Sequence, residues 1–256
     1  MIGGMTDRRT FEELVAEADA APTEGWDFSW FEGRATEERP SWGYQRAMGE
    51  RMAVARAALD IQTGGGEVLA GVPKRPALCV ATEAWPPNVA KASALLHPLG
   101  TVVVADPEEP PLPFGDGVFD LVVSRHPVVP YFAEIARVLA PGGTYFAQHV
   151  GPASAAEVTD YFLGAEPRTG REPEVERARA EAAGLEIVRL RTERLRMEFF
   201  DVGAVVHFLR KVIWMVPGFT VEAYLPRLRE LHAEIEAKGP FVAHSSRTLF
   251  EARRPA

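Results

Sequence analysis

Asp60-Ile61-Gln62-Thr63-Gly64-Gly65-Gly66-Glu67 sets a glycine cluster between two acids, directly after an apolar approach that ends at Leu59. Residues without a Cβ let a chain turn sharply off a strand and bring bare backbone against a ligand. Further along, short apolar runs end in residues able to do chemistry: Thr82-Glu83, Asp106, Ser124-Arg125-His126 and Gln148-His149. A carboxylate can accept hydrogen bonds from both hydroxyls of a vicinal diol, so an acid such as Glu83, one strand beyond a glycine turn, suits a ribose. Asp60 and Glu67 would repel a pyrophosphate and attract an ammonium. The contiguous glycines also depart from the G-x-G-x-x-G spacing of a dinucleotide fingerprint. These residues therefore fit a nucleoside-containing ligand that carries a positive charge, and disfavour a nicotinamide-dependent oxidoreductase.

His126 and His149, both at strand ends, are the candidate proton acceptors, histidine being the commonest general base. His207 falls within an amphipathic helix and His244 just before the last strand, which makes them weaker candidates. No His, Asp or Glu grouping has the spacing of a metal site.

The elements that must position these residues alternate in type. Gln45 to Arg56 is expected to be helical and to lead into a first strand, Ala57 to Ile61. Strands follow at 77–81, 101–105, 119–124, 144–150, 185–190 and 247–252, with helices at Asn88–Leu96, Tyr131–Leu139 and Glu174–Ala183. Short, continuously apolar strands separated by helices indicate a mostly parallel seven-stranded sheet covered on both faces, an α/β Rossmann-like fold. Ligands of such sheets sit beyond the carboxyl ends of the strands, where the residues named above fall. Thr10-Phe11-Glu12-Glu13 reads as a capping box opening a helix. The aromatic stretch holding Trp26, Phe28, Trp30, Phe31, Trp42 and Tyr44 reads as a lid. Val202 to Val216 carries an amphipathic stripe, and a second helix with Val221, Leu225, Leu228, Leu231 and Ile235 is expected to kink at Pro226. The expected organisation is an N-terminal helical and aromatic lid over 1–56, followed by a ligand-binding domain over 57–256 with a helical insertion at about 198–240.

The 256 residues, 46% hydrophobic and 25% charged, are ordinary for a soluble globular protein. A net charge of -8 argues against a broad phosphate-binding surface, and hence against nucleic acid as a partner. The single cysteine, Cys79, leaves no internal disulfide and fits a reducing cytoplasm. No apolar leader follows Asp7, Arg8 and Arg9, and the longest apolar stretch is broken by His207, Arg210 and Lys211, so neither a signal peptide nor a membrane span is expected.

From Tyr44 to Leu190 the chain resembles the class I S-adenosylmethionine-dependent methyltransferases. The resemblance rests on Leu59 to Glu67, on Glu83, on Leu112-Pro113-Phe114-Gly115-Asp116-Gly117-Val118-Phe119-Asp120-Leu121-Val122, and on Arg137-Val138-Leu139-Ala140-Pro141-Gly142-Gly143. It implies that Asp60, Gly64 and Gly66 hold the methionine part of S-adenosylmethionine and that Glu83 holds the ribose. It further implies that Asp106 or Glu108 approaches the adenine, and that Ser124, Arg125 and His126 lie near the sulfonium. Where the family usually has glycine this chain has Gln62, which would either narrow the pocket or hydrogen-bond the cofactor. The expected activity is in-line methyl transfer to a small or medium organic acceptor. RNA base methylation is the alternative acceptor class, and a fold member that binds the cofactor structurally, or catalyses a cyclisation or rearrangement, is the alternative chemistry.

Overall fold

The structure, a computed structural model, describes residues 9–23, 25, 28–107, 109–165 and 171–256. Asp7, Arg8, Trp26 and Glu108, used above, lie outside the described residues. The elements in chain order are α1 (Phe11–Ala20), β1 (Ala35–Glu37), α2 (Tyr44–Met52), β2 (Ala57–Asp60), α3 (Glu67–Ala70), β3 (Leu78–Glu83), α4 (Pro86–Leu96), β4 (Val102–Ala105) and β5 (Phe119–Arg125). They continue as α5 (Phe132–Val138), β6 (Leu139–Val150), α6 (Ala156–Leu163), α7 (Pro173–Ala182), β7 (Glu186–Phe199), α8 (Val202–Lys211), α9 (Leu225–Lys238) and β8 (Phe241–Arg253).

The chain divides into two compact units, and β7 and β8 contribute residues to both. The larger unit, Arg39–Ser154, Arg168–Arg194 and Ser246–Ala256, carries strands in the order β7-β8-β6-β5-β2-β3-β4. The pairs among β2 to β6 are parallel, and β8 runs antiparallel to β6. Alternation along the strands sorts side chains onto two faces. Leu59, Val122, Tyr145 and Phe250 pack with Phe132, Ile135 and Val138 of α5 and Ala180 of α7. Their neighbours Ala58, Leu121, Val123, Phe146 and Leu249 pack with Met48 and Met52 of α2, Leu69, and Ala92 and Leu96 of α4. Helices thus cover both faces, and the order reverses between β2 and β5, which makes the carboxyl ends of those strands the crevice where ligands bind.

The smaller unit holds α1, α6, α8 and α9 around Leu14, Val15, Val158, Phe199, Val205, Val206, Leu209 and Leu231. Thr10 caps α1 with Glu13 in a reciprocal capping box, and Asp201 caps α8 by accepting from the Ala204 N–H at 2.8 Å. Gly203 permits the close approach of α1 to α8: a Cβ there would stand 2.7 Å from the Leu14 carbonyl oxygen. Trp30 stacks on His207 at 4.3 Å and Phe31 packs against the same ring, so these aromatics of the expected lid belong to this unit's own core. The His207 pKa is depressed to about 4, by burial first and then by Lys211 and Arg210.

Several expectations need correction. Among the described residues there are eight strands, because β1, a three-residue strand inside the aromatic stretch, pairs antiparallel with the end of β7. The strand expected at 185–190 continues to Phe199, its alternation masked by Arg191, Glu193, Arg194, Arg196 and Glu198. The strand expected from Thr144 begins at Leu139, and Pro141-Gly142-Gly143 lies within it, where the register with β5 shifts. The stripe from Val202 stays helical only to Lys211. Pro226 does not kink α9: it sits in the first turn, where its missing N–H would have had no helical partner.

Candidate cofactor and active site

Apart from the weaker candidates His207 and His244, every described site residue named from the sequence lies in the larger unit. β2 is buried throughout and delivers Asp60 to its carboxyl end, only 6% exposed. Burial raises the Asp60 pKa to about 7; a hydrogen bond from Thr63 opposes the shift and the charge of Glu83 adds to it. That bond runs from Thr63 Oγ1 to Asp60 Oδ2 at 2.7 Å. The turn is tied to β3 as well: Thr63 N–H donates to the Thr82 carbonyl at 2.9 Å and Gln62 N–H to Thr82 Oγ1 at 3.3 Å. Gly66 sits at φ +84°, where an added Cβ would also come within 2.9 Å of the Leu96 side chain. Glycine there meets both a backbone and a packing requirement.

Glu83, at the end of β3, is buried and accepts from Gly64 N–H at 2.8 Å through Oε2 and from Trp85 N–H at 3.0 Å through Oε1. Each oxygen keeps a further lone pair, so the carboxylate is held in place and can still accept from a diol. Asp106 follows β4, is buried, and donates its N–H to the Glu83 carbonyl at 3.0 Å. Ser124 is fully enclosed, and its hydroxyl donates to the Ile61 carbonyl at 2.9 Å, joining β5 to the start of the turn. Arg125 is exposed at the end of β5.

His126 adopts φ +60°, donates its N–H to the Gln148 carbonyl at 2.6 Å and meets Gln148 Nε2 through its own Nε2 at 2.9 Å. Trp42 Nε1 donates to Gln148 Oε1 at 2.8 Å. An indole N–H can only donate, so it fixes which end of the Gln148 amide is oxygen; the NH2 end then faces His126. His126 Nε2 is therefore the acceptor and its proton rests on Nδ1. Burial, followed by Arg125, Arg247, His149 and Arg171, holds the His126 pKa well below its usual value, so the ring is neutral at physiological pH.

His149 has another setting. It has no exposed surface, with Nδ1 2.6 Å from Glu176 Oε2, Nε2 3.0 Å from the Tyr145 hydroxyl, and its ring stacked on Phe250 at 5.1 Å. Both nitrogens are engaged and no edge of the ring is exposed, so His149 ties β6 to α7 within the core. Sequence reasoning placed Gln148 among the strand-end residues and Trp42 in the aromatic lid, but foresaw no contact between them or with His126. Nothing local marks them, because they meet only when α2, β5 and β6 pack together.

Residues 59–147 match the family model of a methyltransferase domain. Over that stretch the chain carries a methyltransferase domain, and it resembles the class I S-adenosylmethionine-dependent enzymes. No match was found among curated proteins. A candidate methyltransferase from Bacillus halodurans C-125 is similar in structure, with a TM-score of 0.58 and 19% identity over 82% of this chain and 98% of that one. The [4+2]-cyclase SpnF is similar at TM-score 0.52 and 17% identity, over 96% and 92% of the two chains. A phosphoethanolamine N-methyltransferase 2 of Haemonchus contortus, solved with S-adenosylhomocysteine, has TM-score 0.52 and 17% identity over 97% of this chain and 61% of that one. These likenesses show a shared fold.

The methyltransferase domain's glycine turn fits its cofactor. A buried acid for an ammonium, a positioned carboxylate for a diol, and a turn whose Gly66 leaves no room for a side chain converge at the reversal point of the sheet. Among the described residues no group of three His, Cys, Asp or Glu side chains gathers as a metal site, and no helix is long and apolar enough to cross a membrane.

Proposed function

We propose that this chain transfers a methyl group from S-adenosylmethionine to a small or medium organic acceptor, with Asp60, Gly64 and Gly66 facing the methionine part, Glu83 the ribose and Asp106 the adenine. The observation that carries the acceptor class is the loop after β5. Val128 is 67% exposed and Val129 44% exposed directly beyond His126, an apolar surface close in sequence to the candidate base. With a net charge of -8 in the chain, that surface favours an apolar organic group over a polyanion.

When bound, the cofactor supplies an activated methyl group on sulfur. The protein's work is then alignment, exclusion of water and the handling of one proton. Asp60 takes the cationic end and Glu83 the hydroxyls, which sets the ligand's direction along the strand ends. His126, neutral, offers Nε2 to a proton leaving an oxygen or nitrogen acceptor as Gln148 releases that atom, while Trp42 keeps the Gln148 amide from turning over. Ser124 and Arg125 frame the same strand end.

Isothermal titration with S-adenosylhomocysteine tests the cofactor assignment; no binding at millimolar ligand would overturn it. A screen of organic acceptors for S-adenosylhomocysteine release then tests transfer. Tight cofactor binding without release from any acceptor would favour the cyclisation or rearrangement reading. Salt-sensitive binding of total RNA, weakening as ionic strength rises, would point to RNA instead.

A further inference from the structure

Gln62 occupies a costly conformation. Its φ is +59°, in the left-handed region that a side chain with a Cβ enters at a steric penalty. Its side chain is committed to the loop after β5: Oε1 accepts from Val128 N–H at 2.5 Å and Nε2 donates to the Val129 carbonyl at 3.2 Å. From the segment just before α7, Arg171 Nη2 donates to the carbonyls of Pro127 at 3.1 Å and Val128 at 2.6 Å. Arg171 and His126 also have positive φ, at +54° and +60°. Three non-glycine residues in left-handed conformations thus converge on one short loop. Such strain persists where the surroundings over-determine it, and it clusters at functional sites. Beneath the loop, Ile61, Ser124, Pro127, Val129, Pro130 and Tyr131 help to close a cavity of about 10 Å³, space for at most about one water. The loop is seated on the turn rather than spanning a void.

We infer that Gln62 is a positioning residue that couples the glycine turn to the loop carrying His126, so that a ligand on the turn also sets the acceptor-facing loop. A glycine at this position would relieve the backbone penalty and lose both side-chain hydrogen bonds, so the retained glutamine points to a use for the bridge. The inference rests on the reading of the turn as the cofactor site. It goes beyond that reading by giving residue 62 a task that involves no contact with the cofactor.

The test uses the full chain, labelled with nitrogen-15, as wild type, Gln62→Gly and Gln62→Asn, with S-adenosylhomocysteine as probe. Glycine accepts φ +59° readily; asparagine tolerates it but is one methylene too short to span the gap, and it gives the same reading if the glycine variant does not fold. In the wild type, ligand is expected to shift the amide signals of both Gly64 and Val128. In either variant Gly64 should still respond, Val128 should respond at least threefold less, and Val128 amide exchange without ligand should be at least tenfold faster. An equal Val128 response in wild type and variants would overturn the coupling, as would a wild type in which Gly64 responds and Val128 does not. If the wild type binds no ligand by calorimetry, the cofactor reading fails on its own. The ligand-free exchange at Val128 then decides the bridge: faster in the variants supports it, unchanged refutes it.

Discussion

Replacing Asp60 by asparagine isolates the electrostatic part of cofactor capture. Asp60 is enclosed at the end of β2, and its pKa is raised from 3.8 to about 7, chiefly by burial, with Glu83 adding to the shift. If the ligand's ammonium requires the ionised acid, affinity follows the ionised fraction, which is about one tenth at pH 6 and about nine tenths at pH 8. The dissociation constant for S-adenosylhomocysteine should therefore fall about tenfold between pH 6 and pH 8 in the wild type. In Asp60→Asn it should be weaker at pH 8 and nearly flat across that range. The same shift acts on stability with a defined sign. Because folding raises this pKa, it favours the neutral acid; that stability is fully present below pH 3.8 and is lost as pH rises through about 7. The difference of about three pKa units corresponds to on the order of 4 kcal/mol. Asp60→Asn, which can still accept from Thr63, should therefore be more stable than wild type at pH 8 by up to that amount, and equal to it near pH 4. Calorimetric titration and urea unfolding at several pH values measure both effects. A flat wild-type dissociation constant between pH 6 and 8, or a slope retained in Asp60→Asn, would refute the assignment of the ammonium to this acid.

Other perturbations separate the remaining roles. Glu83→Gln turns an NH2 toward the Gly64 or Trp85 N–H and removes the charge that receives the diol, so S-adenosylhomocysteine affinity should drop roughly 10–100-fold by titration, as for hydrogen bonds to a charged group. Gln148→Leu removes the donor that stabilises neutral His126; the acid limb of the rate–pH profile should rise by roughly 0.5–1 unit while cofactor affinity stays constant. An unmoved limb would place the rate-limiting ionisation elsewhere. His149→Ala strips Glu176 and the Tyr145 hydroxyl of their buried partner and should cost about 3–5 kcal/mol in urea unfolding. The folded fraction should retain wild-type affinity for S-adenosylhomocysteine, and a selective loss of affinity would bring His149 back into the site.

The alternating apolar strands, the glycine turn with its flanking acids and the acids at later strand ends were legible in the chain, because a covered parallel sheet and a phosphate-free nucleoside site each impose a local pattern. So were the capping box at Thr10 and the stripe of α8. The continuation of β7 was not, since its charged, half-exposed residues satisfy pairing in the sheet without an apolar signature. Chemistry assigned by strand-end position alone could not tell His126 from His149. Alternation along β6 turns Gln148 toward Trp42 and His126, and turns His149 toward Glu176 and Phe250, where it is sealed. The glutamine at position 62 shows the same division. Its departure from the expected glycine is visible in one dimension. Its left-handed backbone and its grip on Val128 and Val129 exist only once β5 lies beside β2. Sequence by itself determined the elements and the class of ligand, because those depend on local pattern and residue chemistry. Tertiary structure decided which polar atoms remain available, because a hydrogen bond between residues 66 positions apart leaves no trace in the spacing of either.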